Sequence, residues 1–118
     1  MQILVTNNPL VDAQFKSKFN IELLDTDVPG VLTYVRDLVH KGHQLLTHPL
    51  SGSVKPNETI YKSILVTDTL KDIDPKSINI IEECILTTRK FPPKYIPDHF
   101  KHDMQLVDLA LIHSALVK

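Results

Sequence analysis

The sequence predicts an α/β fold, a three-layer sandwich with helices on both faces of a small, largely parallel, four-stranded, Rossmann-like sheet. Short apolar runs alternate along the chain with segments in which apolar residues recur every three or four positions, and this order is typical of strand–helix–strand units. At 118 residues, 42% of them hydrophobic, the chain is long enough to bury one core and too short for two. We therefore expect a single α/β domain over residues 1–118.

The first two predicted strands flank a short helix. Residues 3–5 are apolar and partly β-branched, which is typical of a buried strand, and Asn7 follows them in a turn. Pro9 suits the first turn of a helix, where a backbone N–H has no intrahelical partner to lose. Apolar side chains at near-helical spacing extend this helix over residues 10–19, and residues 21–24 form the second strand.

A longer helix and a very short strand come next. Asp27 and Pro29 are typical of a helix start, and the apolar positions within residues 31–39 fall on one helical face. Gly42 supplies the stop, because glycine readily adopts the left-handed conformation that commonly ends helices. Residues 45–46 are apolar but too few for a helix, so we expect them to form the third strand.

The second half of the chain contains the fourth strand and two helices. Residues 61–67 give the clearest strand pattern, and Asp74 followed by Pro75 indicates a helix that ends before Pro92. Residues 98–117 form the last helix. The connection between the third and fourth strands contains no clear helix and barely reaches the dozen or so residues that a parallel crossover needs. The fourth strand is therefore either parallel or antiparallel to its neighbours.

The C-terminal part of the last helix is apolar on nearly all sides. Only Gln105, Asp108, His113 and Ser114 interrupt its apolar residues. Such a helix lies either at the centre of the core or in an interface between two copies of the chain. The pattern does not separate these alternatives, and a homo-oligomer through the C-terminal helix is one of them.

Composition argues against several classes of partner and location. The net charge is −1, so neither a nucleic acid nor an anionic membrane is predicted as a partner. No run approaches the roughly 18 apolar residues that span a bilayer, and the first residues enter a strand without a secretion signal. Cys84 is the only cysteine, so no internal disulfide forms and a reducing compartment is expected. We expect a cytoplasmic protein.

Two polar segments follow predicted strands, at the sheet edge where parallel α/β folds bind ligands. One is the turn of residues 6–8, and the other is the loop of residues 47–59, which is longer and more polar than a simple connector. Together they supply amides, hydroxyls, an imidazole, an ammonium and a carboxylate. The predicted ligand-binding residues are Thr6, Asn7, Asn8, Thr47, His48, Ser51, Gly52, Ser53, Lys55, Asn57 and Glu58.

These groups suit a small anionic or polar ligand. Backbone N–H groups near Gly52, together with the ammonium of Lys55, are able to hold a carboxylate or a phosphate. His48 would meet the same negative charge, and the side chain of Asn7 would help to orient the ligand. The alternative is that the asparagine, serine, glycine and proline residues only shape turns.

Nucleotide binding and covalent catalysis have weaker support. The glycine–lysine–hydroxyl order of a phosphate-binding loop is missing, and the three glycines of the chain do not form a dinucleotide fingerprint, so no cofactor is predicted. Ser51 or Ser53, activated by His48 or Lys55, would make a nucleophile. A serine close to a lysine is a common coincidence, however, and no catalytic residue is assigned.

The histidines and the cysteine are not expected to bind a metal or to take part in catalysis. His40 and His43, like His99 and His102, are three residues apart, but no further ligands at a characteristic spacing accompany them. We therefore expect exposed histidines and no metal. Cys84 lies in an isoleucine-rich helix beside two glutamates, a setting typical of a buried and unreactive thiol.

Three stretches of the chain resemble the GrdX family. They are residues 5–11, residues 35–43 and residues 45–59, of which the last two are the most specific. Members of this family are small proteins encoded beside the selenium-dependent glycine, sarcosine and betaine reductases of anaerobic bacteria that ferment amino acids. The family has no established activity. The resemblance therefore implies a cytoplasmic setting in amino-acid reduction that ends in an acyl phosphate, and it implies no catalytic residue.

Two functions of different classes are compatible with these observations. In the first, the protein binds or acts on a small anionic metabolite at the two polar segments, in the context of glycine reductase metabolism. In the second, it is a non-catalytic accessory protein that contacts a glycine reductase component through its last helix or its polar loop. The first is favoured, because partner surfaces usually carry aromatic anchors and the loop of residues 47–59 has none.

Overall fold

The computed structural model describes residues 1–50, 59–91 and 95–116. Within these residues the chain forms three strands and four helices. In chain order they are β1 (Ile3–Thr6), α1 (Pro9–Phe15), β2 (Asn20–Leu23), α2 (Val28–Lys41), β3 (Ser63–Val66), α3 (Pro75–Arg89) and α4 (Asp98–Leu116). None of these four helices combines the length and the apolar composition needed to cross a membrane.

Local signals set the ends of the helices. The Asp27 carboxylate accepts a hydrogen bond from the N–H of Gly30 at 2.9 Å, and the Asp74 carboxylate accepts one from the N–H of Ser77 at 3.2 Å. These bonds satisfy backbone N–H groups that lack intrahelical partners at the starts of α2 and α3. Gly42 ends α2 with a φ of 116°, in the left-handed region. The predicted starts and the predicted stop are confirmed.

The sheet is mixed, with β1 at its centre. The strand order is β2-β1-β3. β2 pairs with β1 in parallel, and β3 pairs with β1 in antiparallel register, with Ile3 opposite Val66 and Thr6 opposite Ser63. The predicted fold class is therefore wrong. In place of a largely parallel, four-stranded, Rossmann-like sheet, the described residues form a mixed sheet of three strands.

The predicted third strand does not form. Leu45 makes only an isolated antiparallel bridge with Val66. Side-chain hydroxyls occupy the positions where a longer ladder would need backbone partners. The Oγ1 of Thr67 accepts from the N–H of Gln44 at 2.9 Å, and the Oγ1 of Thr47 accepts from the N–H of Leu65 at 3.0 Å. The two apolar residues predicted as a strand are too few to extend the pairing against these competitors.

The direction of β3 has a related origin. The N–H of Leu46 donates to the carbonyl of Leu65 at 2.9 Å, and the N–H of Thr67 donates to the carbonyl of Gln44 at 2.9 Å, so this short segment runs antiparallel to β3. Antiparallel neighbours need no helical crossover, which explains why the sequence shows none between them. Of the two directions that the sequence left open for the fourth predicted strand, the antiparallel one is adopted.

The core has two parts, one on each face of the sheet. Successive side chains of a strand point to opposite faces, so Leu4 and Val5 belong to different parts. On the Val5 face, the buried residues of α2 and α3 are Val28, Val31, Leu32, Val35, Val39, Ile81 and Ile85. On the Leu4 face, the buried residues of α1 and α4 are Val11, Phe15 and Ile112. Helices therefore cover both faces of the small sheet.

The last helix is buried along one side only. Ile112 packs into the core of the Leu4 face, and Asp108 is buried beside it. On other sides, Phe100, Leu106 and Val107 are 46%, 45% and 44% exposed. An apolar pattern on nearly all sides therefore does not place α4 at the centre of the core, because a large part of its apolar surface has no cover within the described chain.

Candidate functional site

A buried polar cluster joins β1, β3 and α4. Its members are Thr6, Asn8, Lys62, Ser63 and Asp108, and we call it the Asp108 cluster. Thr6 and Ser63 are partners in the β1–β3 register, so the carboxyl end of β1 meets the amino end of β3. Antiparallel pairing is the reason that these two residues, distant in sequence, lie at the same end of the sheet.

Hydrogen bonds in this cluster converge on the Asp108 carboxylate. The Oγ of Ser63 donates to the Oδ2 of Asp108 at 2.8 Å, and the Nδ2 of Asn8 donates to the same oxygen at 3.1 Å. The Oγ1 of Thr6 lies 2.7 Å from the Oγ of Ser63 and accepts the backbone N–H of Asn8 at 3.0 Å. Because Ser63 gives its only hydroxyl proton to Asp108, Thr6 is the donor to Ser63.

The cluster contains two buried groups of opposite charge. Asp108 is 5% exposed and Lys62 is 8% exposed. Burial raises the pKa of the Asp108 carboxyl, while the hydrogen bonds from Asn8 and Ser63 and the charge of Lys62 act in the opposite direction. Burial lowers the pKa of the Lys62 ammonium, and the charge of Asp108 opposes that shift. Each of the two groups therefore favours the charged form of the other.

The Lys62 ammonium has no direct partner in the described part of the chain. The backbone N–H of Lys62 donates to the Oδ1 of Asn7 at 2.9 Å, but the Nζ makes no hydrogen bond or ion pair with a residue of that part. The charge of Asp108 raises the pKa of this ammonium without a direct ion pair between the two groups. Lys62 is thus the member of the Asp108 cluster whose side-chain donors are not engaged by the described residues.

A cleft lies against the Asp108 cluster. Its volume is about 250 Å³ including the open mouth, and the enclosed part has room for about one water molecule. The residues that line it are His48, Pro49, Lys62, Ser63, Asp108, Leu111 and Ile112. This lining combines an imidazole, an ammonium, a hydroxyl and a carboxylate with aliphatic side chains of α4. Buried ionisable groups with shifted pKa values beside a cleft are typical of functional sites.

The turn after β1 is occupied by internal hydrogen bonds. The Nδ2 of Asn7 donates to the carbonyls of Thr26 and Ile60, at 2.9 Å and 2.7 Å. The Oδ1 of Asn8 accepts the N–H of Leu10 at 3.0 Å and caps α1. These two amides hold the backbone around the cleft, and their hydrogen-bonding groups are already engaged within the protein.

Of the predicted loop residues, two lie in the described part of the chain. The hydroxyl of Thr47 is engaged with the backbone of β3, whereas His48 lines the cleft. The Nδ1 of His48 accepts the N–H of Leu50 at 3.1 Å, so in the neutral ring the proton is on Nε2. The predicted residues outside the described part are Ser51, Gly52, Ser53, Lys55, Asn57 and Glu58.

Three residues of the cleft, Lys62, Ser63 and Asp108, are absent from the set predicted from the sequence. The sequence pattern assigns Lys62 and Ser63 to a strand and treats Asp108 as a polar break in the last helix. Asp108 carried a usable signal, because a carboxylate within an otherwise apolar helical stretch needs partners when that stretch is buried. Lys62 and Ser63 lie at the start of the most apolar predicted strand and carried no comparable signal.

The histidines have varied surroundings. The Nε2 of His40 lies 3.3 Å from a carboxylate oxygen of Glu82 at the surface. His43 is buried, contrary to the expectation of exposed histidines. Its Nδ1 lies 2.6 Å from the carbonyl oxygen of Thr67, which gives the buried ring a hydrogen-bond partner. Among the described residues, no group of three or more metal-ligating side chains occurs.

Cys84 is buried in α3, as expected from its isoleucine-rich surroundings. Only 3% of the residue is exposed, and burial raises the pKa of its thiol to about 11. The thiol is therefore protonated at neutral pH, and a protonated thiol is a poor nucleophile. Cys84 lies close enough for its charge state to influence Lys62, but it offers no thiolate to the cleft.

Comparisons with known proteins give one family. No curated protein and no solved structure matches the chain. The model of the family described as GrdX-like protein matches residues 3–117, a range that includes the four helices, the three strands and the residues of the cleft. The match covers nearly the whole chain, and the chain therefore belongs to the GrdX-like family.

Proposed function

We propose that the protein binds a small anionic or polar metabolite in the cleft beside the Asp108 cluster, in the context of amino-acid reductase metabolism. The main support is Lys62, a buried residue that lines the cleft and whose ammonium has no direct partner among the described residues. A carboxylate or phosphate oxygen would supply an acceptor for this ammonium, in a charge-assisted hydrogen bond. The family resemblance suggests the metabolic context of glycine, sarcosine, betaine and acyl phosphates.

The Asp108 carboxylate is compatible with such a ligand. Its Oδ2 accepts two hydrogen bonds, and burial favours its neutral form. A ligand anion beside Lys62 would add a second negative charge and raise the pKa of Asp108 further, so that binding takes up a proton. A zwitterionic amino acid offers another solution, in which its carboxylate meets Lys62 and its ammonium meets Asp108.

Residues of the predicted loop are candidates for the rest of the ligand. His48 lines the same cleft and offers the Nε2–H of its neutral ring as a donor. Lys55 and the hydroxyls of Ser51 and Ser53 stay in the proposal on the basis of the sequence. In this proposal Lys62 holds the anionic group, and Lys55 is a second cation for a ligand with more than one negative charge.

A thermal-shift screen tests the proposal. The probes are acetate, glycine, sarcosine, betaine and acetyl phosphate at millimolar concentration, since ligands that bind only the folded state raise the Tm. We expect at least one of them to stabilise the protein. If none does, the proposal is rejected. For an anionic ligand, a dependence of the calorimetric binding enthalpy on the ionisation enthalpy of the buffer would report the proton taken up by Asp108.

Matched lysine variants assign the binding group. Loss of a charged hydrogen bond weakens binding by about 1.5–3 kcal/mol, which is about 10- to 150-fold in Kd. We expect this loss in Lys62→Met, and for a ligand with two negative charges also in Lys55→Ala. Lys76→Met, which alters an exposed lysine at the start of α3, is the control and should bind like the wild type. Equal affinity of Lys62→Met and Lys76→Met would contradict the assignment of Lys62.

A second candidate function is that of an accessory protein that contacts a glycine reductase component. The exposed Phe100, Leu106 and Val107 favour it, because apolar and aromatic side chains in one region of a surface are typical of partner interfaces. Tagged protein purified anaerobically from the native host should recover a reductase component, and a variant with serine at these three positions should not. Recovery of no reductase component would reject this function. Sedimentation at increasing concentration would show whether the same surface joins two copies of the chain.

A further inference from the structure

We propose that Lys62 forms a Schiff base, in which its ε-amino group condenses with the carbonyl group of a small aldehyde or ketone in the cleft. The site is that of the proposed function, on which this inference rests, but a covalent step on Lys62 is added. Three features support it: a buried lysine whose amine has no direct partner among the described residues, a buried carboxyl group at Asp108, and a cleft that both residues line.

The first feature concerns the amine itself. Only a neutral amine attacks a carbonyl carbon, and Schiff-base lysines are typically desolvated so that the neutral form is accessible. Lys62 is 8% exposed, and burial lowers its pKa against the opposing charge of Asp108. No carboxylate of the described residues forms an ion pair with its Nζ.

The second feature concerns the protons. Attack of the Lys62 nitrogen forms a C–N bond and converts the carbonyl group into a hydroxyl, with one amine proton moving to the carbonyl oxygen. The nitrogen lone pair then forms the C=N bond as the hydroxyl leaves as water, after taking a proton from an acid. The remaining N–H proton returns to that acid, so the products are an imine and one water molecule, without an oxidant or a reductant.

Asp108 is suited to be this acid. It lines the same cleft, and burial raises its pKa, so its carboxyl group is able to hold a proton and to take it back. The hydroxyls of Ser63 and Thr6 form a hydrogen-bonded chain that ends on its Oδ2. Cys84, the other nucleophile near Lys62, does not compete, because its thiol has a pKa of about 11 and stays protonated.

Reductive trapping in the full-length wild-type chain tests the proposal. The probes are glyoxylate, which is an anionic aldehyde, and glycolaldehyde, which is a neutral aldehyde of the same carbon number. Sodium cyanoborohydride reduces an imine to a stable secondary amine, and peptide mass mapping locates it. Because burial lowers the pKa of the Lys62 amine and so raises its neutral fraction, we expect Lys62 to be labelled more heavily than the exposed Lys76. Labelling of Lys62 no greater than that of Lys76 with both probes overturns the proposal.

A variant and a second measurement separate this inference from the proposed function. Lys62→Arg keeps the positive charge but forms no stable imine, so we expect the adduct in that peptide to disappear while exposed lysines are labelled as before. Should Lys62→Arg not fold, the wild-type peptide map alone decides. Stabilisation by carboxylates in the thermal-shift screen, together with no selective adduct at Lys62, rejects the Schiff base and keeps the binding function. A selective adduct at Lys62, with no thermal shift from any carboxylate, keeps the Schiff base and rejects reversible binding of those anions in the cleft.

Discussion

Replacing Asp108 by alanine should destabilise the protein by about 3–5 kcal/mol, because it breaks a buried charged network. Two hydrogen bonds to the carboxylate are lost, those from Ser63 at 2.8 Å and Asn8 at 3.1 Å, and bonds to a charged group contribute about 1.5–3 kcal/mol each. These losses do not add fully. The Nδ2 of Asn8 keeps its bond to the carbonyl of Gln105 at 2.9 Å, and Lys62 is able to lose its proton.

Urea unfolding followed by far-ultraviolet circular dichroism measures this loss. Asp103→Ala is the matched control, since it removes an exposed aspartate from the same helix and should change stability by no more than about 0.5 kcal/mol. In a double-mutant cycle, Asp108→Ala combined with Lys62→Met should lose about 0.5–3 kcal/mol less than the sum of the single variants, because the two groups interact. If Asp108→Ala is as stable as Asp103→Ala, the Asp108 cluster does not hold the fold as described.

Three further predictions concern pH, the thiol and the turn after α2. The unfolding free energy of the wild type minus that of Lys62→Met should rise as the pH increases toward 10.5, the ordinary pKa of a lysine. Between the lowered pKa of folded Lys62 and 10.5, Lys62 is protonated in the unfolded chain but not in the folded one, so raising the pH favours the folded state. Urea titrations at several pH values would show a flat difference if this is wrong. In a spectrophotometric thiol assay below pH 9, native Cys84 should react about a hundredfold more slowly than a thiol with the ordinary pKa of 9.0, since the pKa of Cys84 is about 11. A rate equal to that of Cys84 in the urea-unfolded chain would contradict this. Gly42→Ala should lower the unfolding free energy in urea by about 1–3 kcal/mol, because a φ of 116° is strained for alanine and the alanine Cβ would collide with the carbonyl of Lys71. A decrease below about 0.5 kcal/mol would refute this explanation.

The helix ends were readable from the sequence because their causes are local. Asp27 caps α2 through the N–H of a residue three positions later, and Gly42 ends it through its own backbone conformation. Asp74 does the same for α3. Each signal involves residues within one helical turn, so no knowledge of the tertiary structure is needed to find it.

The sheet was predicted less well because its pairing depends on distant groups. Leu45 is apolar like a strand residue, but the hydroxyl of Thr67 takes the N–H of the neighbouring Gln44. The hydroxyl of Thr47 takes the N–H of Leu65 in the same way. The direction of β3 was left open by the sequence, although the absence of a crossover helix was a usable sign of antiparallel pairing.

The candidate site was predicted in part, since its groups meet only in the folded chain. Ser63 is 57 residues from Thr6 and 45 residues from Asp108, and no periodicity of the sequence relates these positions. The turn of residues 6–8 and His48 belong to the predicted set and lie near the cleft. Their amides and hydroxyls mostly serve the fold, whereas the ammonium of Lys62, which the sequence pattern assigned to a strand, has no direct partner among the described residues.

Amide chemical-shift mapping by NMR tests the central claim most directly, because it shows where a ligand binds. The ligand is the compound that raises the Tm most in the thermal-shift screen. The proposed function predicts that the largest shift changes fall on His48, Ser63 and Leu111, around the cleft of the Asp108 cluster. Largest changes at Thr33 and Arg89, which line a separate and more apolar cleft between α2 and α3, with the first cleft unaffected, would contradict it.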